Sequence, residues 1–556
     1  MRVFTISETT TILPTENIDN INIFCQYFVH PNKERQLEFE QCLKSNVDNK
    51  SITYIYLLNE RIYTNEELGV ASDKIIQVDI KNRLKFKDVF EYINSNNIQG
   101  YNVIINSDIF FDETINKLFY TDIHLNKKMY ALLRYDYDET KTPKAVLFGN
   151  RGDSQDTWII HSNFNIGKKE CKIFNFEFGR PGCDNKMTYL MSTLGFNILN
   201  DPEYIKTYHL HNTNIRNYTN ADSIKPPYEM VLPKETYLYL HNHPNKGLSN
   251  TILTYDLKYN PNVGNQKLHD YIINKIQNNQ NFIIPRVAGI ETQFAIYSAL
   301  LSSQQSAETT KYVLEYLKTH VGSMKNNAGI KLSSNESINK YSTMFLTSFT
   351  QCELYGAWAP FDGVYPGIQQ AHKILDDTFK MKDTFHPEAF DIYHYIYSTP
   401  WTFALKGKRI LIVSNFEESI KDKIHSRKEI YGIDLFPDCE IITIRPPQTQ
   451  GSEQSDEFDV ELSRFTAKLD KIKNKYDIAL VSCGGYGNLV CSHIFNSGKS
   501  AIYVGGVLQM YWGILGNRWF NDRPDIIRLF LNKHWTRAKD SEKPANHKNI
   551  EGSCYW

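Results

Sequence analysis

The sequence predicts an α/β fold with two Rossmann-like domains, the first with a mixed sheet and the second doubly wound. Two observations support this prediction. Strand-like and helix-like segments alternate in both halves of the chain, and a proline-rich stretch separates the halves. A chain of 556 residues is long enough for two large domains or three smaller ones. We therefore expect a first domain over residues 1–225, a linker over 226–264 and a second domain over 265–556.

The first half has the βαβ rhythm of a sheet with helices on its faces. The first helix is predicted from the spacing of Leu37, Phe39 and Leu43. The predicted helices are Lys33–Leu43, Phe86–Asn94 and Asp184–Leu194. The predicted strands are Ile21–Val29, Ile52–Leu58, Lys74–Ile80, Tyr101–Ile105, Met129–Tyr135 and Thr157–His161. Five prolines between residues 226 and 261 mark the connection that follows.

The second half begins with helical segments and then returns to alternation. Its helices are predicted at Leu268–Ile276, in a run through Leu301, and at Phe458–Lys475. Its strands are predicted at Lys408–Ser414, Glu440–Ile444, Asp477–Ser482 and Ser500–Val504. This order indicates a second parallel sheet with helices between its strands.

Composition excludes several classes of function. Lys and Arg total 62 and Asp and Glu total 63, so the net charge of −1 argues against a nucleic-acid binder. No stretch approaches the ~20 apolar residues of a membrane-spanning helix. The nine cysteines are scattered without a CxxC pair, and the first residues do not resemble a signal peptide. We therefore expect free thiols and a cytoplasmic location.

The segment Asn106–Asp112 is the sharpest chemical signal in the sequence. It directly follows an apolar strand, so Asp108 is expected at the carboxyl end of that strand, where open α/β sheets bind ligands. A carboxylate there can hold Mg²⁺ or Mn²⁺ against a diphosphate. The alternative is a turn aspartate that caps the next helix, a role that suits Asp112.

Further polar residues lie at the ends of predicted elements. Arg134 ends a strand, Asp156 precedes one, and Asp184 begins a helix. His209 and His211 alternate along a strand, so we expect them on opposite faces, with at most one of them in a given site.

Glycine-rich turns mark the second half. Gly484 and Gly485 lie between a strand and a helix, where backbone N–H groups can bind phosphate. Tight packing of the strand against the helix is an equally good explanation for these glycines. Gly505 and Gly506 follow the next strand, and Gln509 comes shortly after them.

Five motifs in the first half carry a family resemblance. NSDIFFD, ALLRYDY, DSQDTW, FGRPGCDNK and KTYHLHNTNIRNY occur in this order over roughly residues 20–220. Together they resemble the metal-dependent GT-A-type glycosyltransferase domain of large algal-virus rhamnosyltransferases. Asn106 stands where that family usually has the first aspartate of its DxD motif.

The resemblance implies roles for individual residues. Asp108 would bind Mn²⁺ or Mg²⁺ and the donor diphosphate, and one histidine, preferably His211 rather than His209, would complete the metal shell. Arg134 and Asn106 would contact the donor. In an inverting reaction Asp184 would be the general base, with Asp156 as the second candidate.

The same resemblance implies the substrates. The donor would be a nucleotide sugar, such as a UDP-sugar or a rhamnosyl donor, and the acceptor would be a glycan or polysaccharide. The cytoplasm could then be that of a virus-infected host cell.

The second half resembles GT-D-type glycosyltransferases over roughly residues 265–556. The resemblance rests on PRVAGIE, GGVLQ, GNRW and the final EGSCYW. The aspartate of that family's DxE motif falls on Gly289, whereas Glu291 is kept. The resemblance implies that Glu291 is catalytic, either as a base without metal or in a half with reduced activity, and that Arg286 and Arg518 contact phosphate. Ion pairs at the surface are the alternative for the two arginines.

Two hypotheses follow. In the first, the chain is a bifunctional glycosyltransferase with one nucleotide-sugar donor for each half. Alternatively, it is a carbohydrate-binding or scaffold protein in which one or both halves have lost turnover, a possibility that Gly289 and Asn106 favour.

Overall fold

A computed structural model describes residues 19–149, 151–213, 215, 218–233, 261–301, 307–357, 382–392 and 396–556. The chain is α/β with several sheets, as predicted. It divides into two compact units, Met1–Lys246 and Gly247–Trp556.

The first unit alternates strands and helices along its length. Its helices are α1 (Lys33–Asp48), α2 (Asn65–Leu68), α3 (Phe86–Ser95) and α4 (Cys183–Thr193). Its strands are β1 (Ile21–Cys25), β2 (Tyr54–Asn59), β3 (Ile75–Asp79), β4 (Tyr101–Ile105), β5 (Ile109–Phe111), β6 (Lys128–Leu133), β7 (Tyr135–Tyr137), β8 (Ala145–Leu147), β9 (Gln155–His161), β10 (Asn197–Leu199) and β11 (Thr207–His209).

Two sheets organise the first unit. A seven-stranded mixed sheet has the order β10-β6-β9-β4-β1-β2-β3, with β9 antiparallel to both of its neighbours. A smaller sheet has the order β5-β11-β7-β8. The strands β1 and β4 are buried along their whole length, so the core of the unit lies on both faces of the large sheet.

The packing of helix α1 differs from its sequence pattern. Asn32 caps its first turn by accepting a hydrogen bond from the backbone N–H of Arg35. Phe39 and Leu43 are buried as expected, but Leu37 is 62% exposed. The buried stripe instead includes the charged residues Arg35 and Glu38.

The predicted strand Met129–Tyr135 is in fact two strands in two sheets. Strand β6 belongs to the large sheet and β7 to the small one, and Arg134 lies between them. The side chain of Arg134 therefore starts where the two sheets separate.

The described part of the predicted linker belongs to the first unit. Val231 is fully buried, its N–H donates to the Gly152 carbonyl at 3.0 Å, and its own carbonyl accepts from the Asn200 side chain at 2.7 Å. Residues just after the expected domain end at residue 225 therefore pack against the first unit. Residues 234–260 of the predicted linker lie outside the described residues.

The second unit has its own helices and strands. Its helices are α5 (Pro261–Gln277), α6 (Gly289–Leu301), α7 (Ala307–Ser323), α8 (Asn335–Thr350), α9 (Glu417–Lys421), α10 (Arg427–Tyr431), α11 (Phe458–Ile472), α12 (Gly487–Asn496), α13 (Asn517–Asp522) and α14 (Pro524–Phe530). Its strands are β12 (Ile283–Ile284), β13 (Leu354–Gly356), β14 (Asp383–Phe385), β15 (Arg409–Ser414), β16 (Glu440–Ile444), β17 (Ile478–Ser482), β18 (Ser500–Tyr503), β19 (Ile514–Leu515) and β20 (Thr536–Arg537).

A five-stranded parallel sheet of order β12-β18-β17-β15-β16 forms the centre of the second unit. Its strands β15, β17 and β18 are almost continuously buried, which is typical of a parallel sheet covered on both faces. The carboxyl ends of these strands lie at one edge of the sheet, where α/β folds place their ligands.

Two further findings bear on the sequence predictions. All nine cysteines are free and buried. Within the described ranges, no helix combines the length and the apolar character that crossing a membrane requires.

We expect Gly100→Ala to destabilise the first unit by about 1–3 kcal/mol. Gly100 has a φ of +99°, and a Cβ atom there would lie 2.3 Å from the carbonyl oxygen of Asn20. Gly149 is the matched control, since its φ is +65° but nothing lies within 4 Å of its Cβ position. Denaturant unfolding of both variants measures the difference. Equal stability losses would contradict the steric argument.

Candidate active site

The Asn106–Asp108 loop lies at the carboxyl end of β4, directly before β5. Strand β5 pairs antiparallel with β11, which places Ile109 opposite His209. The backbone N–H of Leu210 donates to the Asp108 carbonyl at 3.0 Å. This pairing fixes the histidine segment beside the Asp108 carboxylate.

Asp108 and both histidines form one cluster. His209 Nε2 lies 3.2 Å, and His211 Nδ1 3.7 Å, from Asp108 Oδ2. One possible ligand atom from each residue lies within 4.8 Å of the others, and the described residues contain no other such group of three. The expectation that the histidines face opposite sides is wrong. Strand β11 ends at His209, so strand alternation does not extend to His211.

Arg35, which the sequence analysis did not identify, also contacts Oδ2 of Asp108. Burial favours the neutral form of Asp108, but His209 and Arg35 outweigh it and hold the pKa of the carboxyl well below its usual range. Burial likewise opposes charge on His209, yet Asp108 and Asp136 raise its pKa to about 9. For His211, burial and Arg35 lower the pKa, which favours a neutral imidazole.

A second network fixes Arg134, Asp156 and Asn106. Arg134 Nη1 donates to Asp156 Oδ2 at 2.5 Å and to Ser154 Oγ at 2.9 Å. The Asn106 side-chain amide donates to the other oxygen, Oδ1 of Asp156, at 2.7 Å. Both oxygens of Asp156 therefore accept hydrogen bonds. Asp136 links Arg134 to His209, because its Oδ1 lies 3.3 Å from Arg134 Nε and 3.6 Å from His209 Nδ1.

Asp184 lies in a different environment. It is half-buried in the first turn of α4, where the N–H of Asn185 donates to its Oδ1 at 2.9 Å. Burial raises its pKa to about 7, and the negative charges of Asp156 and Asp153 contribute to the increase. A carboxyl group with this pKa can accept a proton near neutral pH.

One cavity of about 790 Å³ brings the two groups together. Its wall includes all seven residues that the sequence analysis proposed as catalytic, donor-binding or metal-binding in the first half: Asn106, Asp108, Arg134, Asp156, Asp184, His209 and His211. It also includes Arg35. The five sequence motifs therefore converge on one site.

The donor set of the cluster fits a divalent cation. One carboxylate and two imidazoles suit Mn²⁺ and other borderline ions better than Ca²⁺, which prefers oxygen ligands. Asp108 is already ionised, and His209 must lose its proton before its Nε2 can bind a cation. The cluster faces the cavity, so a diphosphate could reach a cation held there.

In the second unit, Arg286 and Glu291 lie near the carboxyl end of β12. Arg286 Nη1 donates to the Val504 carbonyl at 2.9 Å, and the Asn488 side chain holds the Arg286 backbone through bonds of 3.0 and 2.9 Å. Glu291 is buried in the first turn of α6, and burial raises its pKa.

The first glycine-rich turn is packed against protein atoms. A Cβ atom on Gly484 would lie 2.9 Å from the carbonyl oxygen of Ala328, and one on Gly485 would lie 2.4 Å from a side-chain carbon of Ile330. Close packing is therefore a sufficient reason for glycine at both positions. It is one of the two explanations that the sequence offered, the other being phosphate binding.

The second turn makes room for two large side chains. A Cβ atom on Gly505 would lie 2.3 Å from Arg286 Nη1, and one on Gly506 would lie 2.4 Å from the Tyr555 ring. Arg518 donates to Tyr555 Oη at 3.4 Å and to Glu551 at 3.0 Å.

Two buried or half-buried polar groups complete this region. The Gln509 side chain is buried and donates to the Ile514 carbonyl at 3.1 Å. Asp391, which the sequence analysis missed, has its pKa raised by burial and by Glu388.

Comparisons with known proteins give only distant similarities. Two of the solved structures that resemble this chain are of the domain of unknown function 1792. One is 12% identical with a TM-score of 0.26, covering 50% of this chain and 96% of that chain. The other, described as a glycosyltransferase from Streptococcus sanguinis, is 10% identical with a TM-score of 0.27, covering 49% and 94%. A Pyrobaculum calidifontis mannosyltransferase in complex with GDP-Man and Mn²⁺ is 7% identical with a TM-score of 0.23, covering 65% and 84%. No protein-family model and no curated protein matches the chain. At these TM-scores the similarities do not assign a fold or a function.

We expect Asp108→Ala to abolish Mn²⁺ binding by the first unit, because it removes the only carboxylate of the cluster. Asp112→Ala is the matched control. Asp112 caps the following short helix by accepting from the Thr114 N–H at 2.9 Å, so its loss should cost about 1 kcal/mol of stability and leave Mn²⁺ affinity unchanged. Isothermal titration calorimetry measures both affinities. Unchanged Mn²⁺ affinity in Asp108→Ala would contradict the assignment.

Proposed function

We propose that this chain is a glycosyltransferase whose first unit moves a sugar from a nucleotide-sugar donor to a glycan acceptor with the help of a divalent cation. The observation that carries the proposal is the single cavity that holds both the Asp108–His209–His211 cluster and Asp184. The five motifs that resemble GT-A-type rhamnosyltransferases all contribute to this cavity, which supports a rhamnosyl or related donor.

The cluster would hold the diphosphate end of the donor. Asp108, His209 and His211 would bind Mn²⁺ or Mg²⁺, which when bound would neutralise the diphosphate and stabilise the leaving nucleoside diphosphate. Arg134 lies next to the cluster through Asp136, in a position to orient the donor phosphate or sugar. Its two ion pairs keep the guanidinium in one orientation.

Asp184 would act on the acceptor. Its carboxylate would take the proton of an acceptor hydroxyl while that oxygen attacks the anomeric carbon, and the bond from this carbon to the diphosphate would break. Attack from the opposite face inverts the anomeric configuration. Asp156 suits this role less well, since both of its oxygens already accept hydrogen bonds.

The second unit would carry a second glycosyl transfer. Glu291 is buried with a raised pKa, as expected of a base, and Arg286 lies close enough to it to oppose that rise. Gly289 removes a carboxylate that GT-D-type enzymes have, so this unit would work with Glu291 and without the usual metal pair.

A carbohydrate-binding or scaffold protein is the second candidate. The specific observation in its favour is the contact of Arg35 with Asp108, because a guanidinium on that oxygen neutralises the carboxylate without a metal. This candidate predicts sugar binding without turnover.

We expect Asp184→Asn to lower the rate of nucleotide-sugar turnover by about 10²–10⁴-fold, because an amide cannot accept the proton. Donor affinity should stay unchanged, since Asp184 does not belong to the cluster. With Mn²⁺ kept saturating at every pH, so that deprotonation of His209 does not limit cation binding, the rate of the wild type should rise as pH increases through about 7, where the Asp184 carboxyl becomes ionised. Steady-state rates of both proteins between pH 5 and 9 test this pH dependence. If the rate of Asp184→Asn still rises through about pH 7 as in the wild type, the assignment of Asp184 as the base is contradicted.

A donor screen with the whole chain tests the proposed function. We expect Mn²⁺-dependent hydrolysis of at least one nucleotide sugar that Asp108→Ala abolishes. A second donor whose hydrolysis survives Asp108→Ala but is lost in Glu291→Gln would assign activity to the second unit. Binding without hydrolysis of any donor, with glycan acceptors also present, would favour the scaffold candidate.

A further inference from the structure

A buried ion pair on helix α1 lies against the histidine segment. Arg35 and Glu38 are one helical turn apart, with side chains only 7% and 9% exposed, and their charged atoms are 2.6 Å apart. Neither residue belongs to the Asp108–His209–His211 cluster. A buried charge requires a partner, so a pair at this depth needs a structural or functional reason.

Glu38 binds the two residues that follow His211. Its Oε1 accepts from the backbone N–H groups of Asn212 at 2.8 Å and Thr213 at 3.0 Å. Its Oε2 accepts from the Thr213 hydroxyl at 3.2 Å and from Arg35. One carboxylate therefore collects four donors, three of them from the turn after His211.

Arg35 binds the residue that precedes His211. Its Nη1 donates to the Leu210 carbonyl at 3.0 Å, and its Nη2 contacts Asp108. The ion pair thus holds the chain on both sides of His211. Because β11 ends at His209, strand pairing does not orient His211, and these bonds fix its backbone instead.

We propose that Glu38 is a positioning residue for the cation site, which sets the turn that presents His211 and keeps Arg35 directed at Asp108. The inference rests on the proposed metal-dependent function. Partners that orient metal ligands commonly change metal affinity about 10–100-fold when they are removed. Loss of Glu38 would release Asn212 and Thr213, so His211 would no longer be held at the distance at which it can share a cation with Asp108.

The test measures the Mn²⁺ affinity of the whole chain in the absence of any donor. Electron paramagnetic resonance gives the concentration of free Mn²⁺ during the titration. Glu38→Ala should weaken Mn²⁺ binding by about 10–100-fold. Glu38→Gln should weaken it less, because the amide oxygen can still accept from the two backbone N–H groups but no longer neutralises Arg35. Glu34→Gln is the matched control, since Glu34 is exposed on the same helix and should leave the affinity unchanged.

A second readout separates positioning from loss of fold. With Co²⁺ in place of Mn²⁺, the visible absorption should change in Glu38→Ala, while the melting temperature of Glu38→Gln stays near that of the wild type. Wild-type Mn²⁺ affinity in both Glu38 variants, with binding still lost in Asp108→Ala, would overturn this inference and leave the proposed function intact. Absence of Mn²⁺ binding by the wild type would overturn both.

Discussion

The candidate site depends on how one buried negative charge is compensated. The carboxylate of Asp108 is withdrawn from water at the end of β4, where an isolated charge would be strongly destabilising. Arg35 from α1 and His209 from β11 supply the opposite charge. These contacts connect a helix near the start of the chain to a strand more than 170 residues later. This compensation therefore links α1 to the smaller sheet.

Two carboxylates in the wall of the cavity, those of Asp108 and Asp184, have opposite electrostatic environments. Cations surround Asp108 and keep it ionised, whereas burial and neighbouring carboxylates raise the pKa of Asp184 to about 7, so that it gains and loses its proton near neutral pH. A pair of acids whose pKa values are driven apart is typical of a site that divides ligand binding and proton transfer between two groups. Asp108 follows the end of a strand and Asp184 lies in the first turn of a helix, so the different neighbours of these two positions set the two environments.

The sequence predicted more of the backbone than of the site's inner contacts. The alternation of strands and helices, Asp108 at a strand end and Asp184 at a helix start all follow from local patterns. Arg35 and Glu38 could not be found in this way, because their partners lie 73 to 175 residues away in the sequence. One local signal was available. Arg35 and Glu38, which are three residues apart, lie beside Phe39 on the buried stripe of α1, and charged residues on such a stripe indicate a buried ion pair. The early end of β11, which allows His211 to join His209, depends on pairing with β5 and not on residue type.

The division of the cavity between two sheets has a consequence for how its specificity can change. His209 and Asp136 come from the four-stranded sheet, whereas Asp156 comes from the seven-stranded one and Asp184 from a helix. The chain passes between the sheets at Arg134. Strand β8 forms the outer edge of the small sheet and does not pair with the seven-stranded sheet. Under the proposed function, the residues that would hold the donor and the residue that would act on the acceptor lie on separate elements, so that a substitution on one element need not rebuild the other.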